Sequence, residues 1–421
     1  MGKFWLSKRF FVALLVLTLI TAGFAFAQES NNDEDKVLKL SLKDAIKIAE
    51  ENNQQIKLSK TGLEKAELGR KQYRYQDKKT KDLEDDIKKA IEQWESLTDA
   101  EREEYIKRGE TPPVDPGISS SFEYTYTMDL LEKQTEVGVK LAQAGIDVTV
   151  KGVQFGVEGA YYGALLARDN TDIAQAALVR QKDMLRIAET KYKVGTVAKT
   201  EVLDAQVQLA KAEADVLKAR SEEEKAYINL KKLLGLSQGR ALKLTDSFDY
   251  EPADLDTTLK ELIEQAQKNR IDVMSAEGAF EIAKLDFDLS SKVYPSNTFI
   301  YKEKEYAMEE TRIKLADTKA TVEAQVREIW LDFEEAKANI PVMDKAVEMA
   351  QESLRLAKLS YEAGIVRSVD VAAAEEGLKQ VQLQRSGVIY NYNLARLKLN
   401  NVVYFSVSGG VAADAGGPAP M

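Results

Sequence analysis

From Thr200 to Leu234 small and apolar side chains return every seven residues on two seams. Val202, Leu209, Val216 and Leu230 mark one; Ala205, Ala212, Ala219, Ala226 and Leu233 mark the other. The register returns later in the chain. There Val371, Leu378, Tyr392 and Leu399 form one seam, and Ala374, Val381, Val388, Ala395 and Val402 form the second. Glu223 and Arg385 are the breaks. A period of 3.5 residues is that of helices packed as a coiled coil. Alanine along one seam lets neighbouring backbones approach closely. A helix over Thr200–Leu234 is about 50 Å long at 1.5 Å per residue. The pattern predicts a mainly all-α chain, with helix over 41–76, 155–193, 199–235, 258–292, 303–338, 342–362 and 368–404. It leaves at most short β segments near 120–127, 146–153 and 293–301. In the first, Phe122, Tyr124 and Tyr126 alternate with polar residues; in the second, Ile146, Val148 and Val150 do.

The chain also repeats itself. LRIAETKYKVG (185–195) matches LRLAKLSYEAG (354–364) at an offset of 169 residues, and LSLKDAIKIAEENN (40–53) matches TTLKELIEQAQKNR (257–270) at an offset of 217. The first copy is therefore 48 residues longer. A charged insert at about 74–116 accounts for the excess. It reads as two short helices, the second opened by the capping box Thr98-Asp99-Ala100-Glu101 and stopped by Pro112, Pro113 and Pro116. Gly195 and Gly364 each separate two long periodic segments, as a residue free to adopt a left-handed turn would. Both stretches read as tight tips of long antiparallel helical hairpins, one per tandem repeat. The expected division is repeat 1 over 38–247, repeat 2 over 256–407 and a Gly/Ala/Pro-rich disordered tail over 408–421.

Composition removes several chemistries. The chain has no His and no Cys. Ser-His-Asp and Cys-His catalysis, disulfides and the usual zinc sites all need those residues. No catalytic residue, cofactor or metal is expected, and the chain does not read as an enzyme. A net charge of −10 argues against nucleic acid. At the N-terminus, Lys3, Lys8 and Arg9 precede an apolar run and Ala25-Phe26-Ala27. This is the pattern of a secretory signal peptide over 1–27, so the mature chain is expected outside the cytoplasm, in the cell envelope.

These features together resemble the TolC family of outer-membrane efflux proteins. The resemblance rests on LSLKDAIKIAEENN, AYYGAL (160–165), KYKVGTVAKTEVLDAQ (191–206) and AYINLKKLLG (226–235), in this order and with the duplication. It implies a homotrimer whose helices form a hollow tunnel, and hairpin tips that dock onto a membrane-fusion adaptor serving an inner-membrane pump. The docking tips it implies are Gly195, Thr196, Val197 and Ala198, then Gly364, Ile365, Val366, Arg367 and Ser368. Acids lining the tunnel entrance are implied just past the second tip. Asp370 matches the first such position and Ala373 stands at the next, so Glu201 and Asp204 are candidates to share the role. As an ordinary acid in the first turn of a helix, Asp370 needs no such role. The implied location is the outer membrane or the periplasm-equivalent space of the cell envelope. The short alternating segments do not suffice for a complete lipid-facing barrel, which needs strands of about 9–11 residues, so a reduced or atypical barrel region is expected. A secreted coiled-coil scaffold or spacer of the envelope, with no transport role, is the alternative reading.

Overall fold

A computed structural model describes residues 37–250 and 257–404. The signal segment 1–27 and the tail 408–421 lie outside them. The described residues are almost entirely helical. In chain order they form β1 (Leu38–Leu40), α1 (Leu42–Asn52), α2 (Gln54–Ser96), α3 (Asp99–Lys107), α4 (Phe122–Lys193), α5 (Lys199–Leu234) and β2 (Leu242–Leu244). Then follow α6 (Leu259–Asn269), α7 (Ile271–Ser290), α8 (Phe299–Glu362), α9 (Ser368–Asn400) and a 3₁₀ turn at Val402–Tyr404. Helix α4 has 72 residues and α8 has 64. At 1.5 Å per residue they span about 110 and 95 Å, so these two helices set the length of the molecule.

All other helices except short α3, which folds against the end of α2, pack along those two. Toward the tips, α5 folds back along α4, α9 folds back along α8, and α9 also touches α4. The lateral order is α5–α4–α9–α8. In the opposite, far half, α2 lies along α4, α4 touches α7, and α7 lies along α8. The order there is α2–α4–α7–α8. Helix α8 is thus one lateral edge over its whole length. The other edge is α5 in the tip half and α2 in the far half.

A girdle joins the halves. Strands β1 and β2 pair in parallel, Leu38 opposite Leu242 and Leu40 opposite Leu244. The Tyr161 hydroxyl donates to the Leu40 carbonyl at 2.9 Å, and Arg168 donates to the carbonyls of Leu244 and Asp246. Short α1 closes one core over α4 and α5, including Ala45, Val157, Leu165 and Leu230. Short α6 closes the equivalent core over α8 and α9, including Leu262, Phe333, Tyr392 and Leu399. The repeat is visible at the helix breaks. Asn53 ends α1 and accepts from the Gln55 and Ile56 amides to start α2. Arg270, at the matching position, separates α6 from α7, and its buried guanidinium is held by Asp272 and Gln325.

Several expectations change. The spans allowed short β segments at 120–127, 146–153 and 293–301 are helix and turn. Ser121 caps α4 by accepting from the Tyr124 amide. Residues two apart on a helix point about 200° apart. A helix held between two neighbours therefore alternates like a strand. The Tyr124 hydroxyl reaches Asp77 on α2 at 3.1 Å, whereas the Tyr126 hydroxyl reaches Asp286 on α7 at 2.6 Å. The first half of the charged insert is not a separate helix, because α2 runs unbroken to Ser96. No glycine or proline interrupts it beyond Gly69. Helix α8 likewise passes through Pro341, where the sequence suggested a break. Buried Ile340 beside it packs into the α8–α9 core, which offsets the lost backbone bond. On α5 the seam drifts by one position, burying Leu234 completely and leaving Leu233 41% exposed. A straight α-helix slips about 20° per heptad against a 3.5 repeat.

The segment returning from α3 to α4 is latched to α2 through one carboxylate. Glu84 is only 3% exposed and accepts from both the amide and the hydroxyl of Ser119. Those two donors hold its pKa below the ordinary 4.5. A group depressed in the folded state stabilises fully above its ordinary value and is lost as pH falls through the folded one. Amide protection at 108–120 is therefore expected to be flat above about pH 4.5 and to collapse in more acid solution. Glu84→Ala should remove it at neutral pH, as hydrogen exchange would read.

Candidate functional site

The two hairpin tips lie side by side at one end of the molecule. Gly195 has φ of 78° and Gly364 has φ of 76°, the left-handed conformation a side chain disfavours. Each closes its helix in the same way. The Thr196 amide donates to the Lys191 carbonyl at 2.9 Å, and the Ile365 amide donates to the Ser360 carbonyl at 2.8 Å. These are the six-to-one bonds of a Schellman turn.

The tips are also tied to each other, with charge matched to helix ends. Lys191 of the first tip donates to the Tyr361 and Glu362 carbonyls at the C-terminus of α8, and its ammonium lies 4.3 Å from the Tyr361 ring centre. Glu201 of the first hairpin accepts from the Ser368 amide at the N-terminus of α9, at 3.0 Å. A cation at a helix C-terminus and an anion at an N-terminus are each favourable by about 0.3–1 kcal/mol. Tyr361 is buried beneath this contact with Met184, Leu354 and Val371. Burial and nearby Glu201 raise its pKa.

Further along, ion pairs bridge the first hairpin to α9. Arg180 meets Glu375, and Lys379 meets Asp215 at 2.7 Å and Glu376 at 2.9 Å. Lys211 reaches Glu376 at 3.3 Å. Burial works against the Lys379 charge, yet Asp215 and Glu376 prevail and hold its pKa above the ordinary value.

The expected site residues divide on inspection. Gly195, Thr196 and Ala198, with Gly364, Ile365 and Arg367, are exposed at the end of the molecule. Val197 is half-buried, Val366 packs against the tip core, and Ser368 is buried. The most exposed apolar side chains at the tips are Val194 (70%) and Ile365 (77%). Of the three acids, Glu201 caps α9, and Asp370 accepts from the Arg367 amide at 2.9 Å. Asp204 is exposed. Two of the three thus serve as helix caps in this chain, the bland role available to any acid in a first turn. Lys191, Val194 and Tyr361 stand outside the expected site residues; the contact of Lys191 with Tyr361 exists only where one hairpin meets the other.

The lateral edges carry uncovered apolar stripes. On α5, Leu203, Val207, Leu217 and Ile228 are 45–69% exposed. On the opposite edge, Leu331, Val342, Met349 and Leu356 of α8 are 51–66% exposed. Their spacings fit a helix face that meets no other element among the described residues.

Comparison with known proteins agrees with this architecture. Residues 133–236 match the family model described as outer membrane efflux protein. The chain is 22% identical over 282 residues to the alkaline protease secretion protein AprF of Pseudomonas aeruginosa, covering 57% of this chain and 59% of that one. It is 25% identical over 165 residues to outer membrane protein TolC of Vibrio cholerae, covering 39% and 36%. It thus spans less than two thirds of either relative. Among solved structures, the fold is similar to the outer membrane protein VceC of Vibrio cholerae, with a TM-score of 0.62 at 15% identity over 86% of this chain and 95% of that one. It is also similar to the CmeC outer membrane channel of Campylobacter jejuni, with a TM-score of 0.60 at 13% identity over 89% and 87%.

Proposed function

We infer that this chain, whose TolC-family resemblance the family match and the shared fold bear out, is the subunit of an export tunnel in the outer membrane of the cell envelope. Two tandem repeats, at about 38–247 and 256–407, each supply one hairpin. Both tips dock onto a membrane-fusion adaptor, which links the tunnel to an inner-membrane pump. The observation carrying this reading is the pair of glycine-turned tips, tied to each other and presenting Val194 and Ile365 to solvent at one end of a rod. An ordinary chain reversal gives no reason for two such turns to be tied together with their apolar side chains outward.

The tunnel is a homotrimer in which the α5 edge of one copy meets the α8 edge of the next. Rotation about an axis parallel to the helices preserves height, so the two stripes must be level. Asp215–Lys379 and Lys211–Glu376 set the height of α5 against α9, and Arg385–Asp344 sets α9 against α8. Followed through these ties, Val207 stands near the height of Leu356, and Leu217 near that of Met349. A contact that joins different faces in this head-to-tail way closes into a ring when the rotation allows.

Val194→Asp with Ile365→Asp tests the docking. Both positions are exposed, so the fold and trimer mass should stay unchanged, while an unpaired charge enters the proposed interface. Adaptor capture is expected to fall at least about tenfold, the effect of about 1.4 kcal/mol, and export should fall with it. Unaltered capture and export would reduce the tips to simple turns, whereas absence of both capture and export with the unmodified chain would favour the envelope-spacer alternative.

A further inference from the structure

Between the tips and the girdle, a cavity of about 450 Å³ lies over α4, with α5 and α9 as its walls. Volumes of about 300–1,000 Å³ are usual for sites that take small molecules. Leu166 and Ile173 of α4, Ala219 of α5 and Leu383 of α9 give it an apolar lining. Among them stands Asn170, whose Oδ1 is buried with no hydrogen-bond partner among the described residues. A buried acceptor left unpaired is costly. Gly163 lines the same space. Glycine weakens a helix interior, and a Cβ at Gly163 would meet nothing within 4 Å. No neighbouring backbone therefore requires glycine there; the residue leaves room.

Ion pairs decide what kind of occupant fits. Lys379–Asp215 and Lys211–Glu376 span from α9 to α5 across the tip-ward end of the cavity. A partner helix lying along α4 would have to break both, whereas a compact molecule fits beside them. The lining has three carboxylates, Asp215, Glu222 and Glu376, against the ammonium groups of Lys218 and Lys379. Lys379 is already shared by Asp215 and Glu376, so the surplus is negative and hydrogen-bond accepting.

We propose that this cavity binds a protonated amphiphilic amine. Its apolar body lies against Leu166, Ile173 and Leu383, an N–H donates to Asn170 Oδ1, and its charge faces Asp215 and Glu222. The site is separate from the docking tips. At about 100° per residue, Gly163, Leu166 and Asn170 lie about 140–200° round α4 from Tyr161, which faces the girdle. Glu376, Lys379 and Leu383 lie as far round α9 from Tyr392, which faces the core under α6. A ring of copies has more room for the girdle on its outside, which puts the cavity on the inner wall, where cargo passes. That placement alone rests on the tunnel reading; the binding does not.

Binding is measured on the purified full chain, so it is read whether or not the tips dock an adaptor. The probes are aminoacridine, a planar protonated amine, and anthracene carboxylate, an anion of the same ring size. Saturable binding of aminoacridine in fluorescence anisotropy is expected, at least about tenfold tighter than that of the anion, since like charges repel. Gly163→Leu fills the cavity and should weaken binding by at least about tenfold. Gly62→Leu on α2, where a Cβ also meets nothing within 4 Å, should bind as the unmodified chain does. Asn170→Leu removes the unpaired acceptor. It should weaken binding about threefold to tenfold while leaving the unfolding midpoint unchanged or raised, which a merely structural asparagine would not do. This variant decides independently of how well Gly163→Leu folds. No saturable aminoacridine binding, equal binding of the two probes, or full affinity in Asn170→Leu overturns the proposal.

Discussion

Gly278→Ala is expected to destabilise the protein, against the usual effect of that exchange in a helix. Alanine is favoured over glycine in a helix interior by about 1 kcal/mol. Gly278, however, lies on α7 where it crosses α4. An added Cβ would stand 2.4 Å from Val137 Cγ1 and 3.3 Å from Cγ2. Valine in a helix is nearly confined to one rotamer, so Val137 has little freedom to swing aside. Overpacking of this kind costs about 1–3 kcal/mol, which outweighs the gain in propensity. Val137→Ala in the same chain should relieve the clash. Denaturant unfolding of the two single variants and the double variant gives the coupling, expected at about 0.5–3 kcal/mol. A stabilised Gly278→Ala, or simple additivity, would mean that α4 and α7 do not approach this closely. The contact matters because it joins the two repeats in the far half.

The second expectation separates two alanines on one helix. Ala212 is buried where α5 faces Ala174 and Ala177 of α4. Ala212→Phe has no space there and should cost about 1–3 kcal/mol of stability. Ala210 is exposed on the edge stripe between Val207 and Leu217. Ala210→Phe should leave the stability of the isolated chain within about 0.5 kcal/mol, yet obstruct the neighbouring copy and reduce the trimer fraction. Unfolding curves and mass measurements on the two variants check both halves. Equal and small effects would contradict the register assigned to α5.

The sequence by itself determined the helical character of the chain, the two glycine tips and most of both seams. Each of these is written in local spacing. A heptad repeat specifies that a face is buried, and a lone glycine between two such repeats specifies a turn. Spacing does not say what covers a face. Phe122, Tyr124 and Tyr126 alternate because α4 is held between α2 and α7, and one sequence segment cannot distinguish that from a strand. Pro341 reads as a break until the packing of Ile340 against α9 offsets its lost bond. Asp370 keeps the first-turn role its own spacing offers, whereas Glu201 reads as a tunnel-entrance candidate until the N-terminus of α9 is placed beside it. Glu84 reads as one charge among many until Ser119, 35 residues away, supplies two donors. What only the tertiary structure decided is which faces stay bare. The edge stripes of α2, α5 and α8 have the same residue types as buried seams. Their exposure follows from which helix lies beside which, a relation between segments such as those of Asp169 and Ser386, 217 residues apart, that no local period encodes.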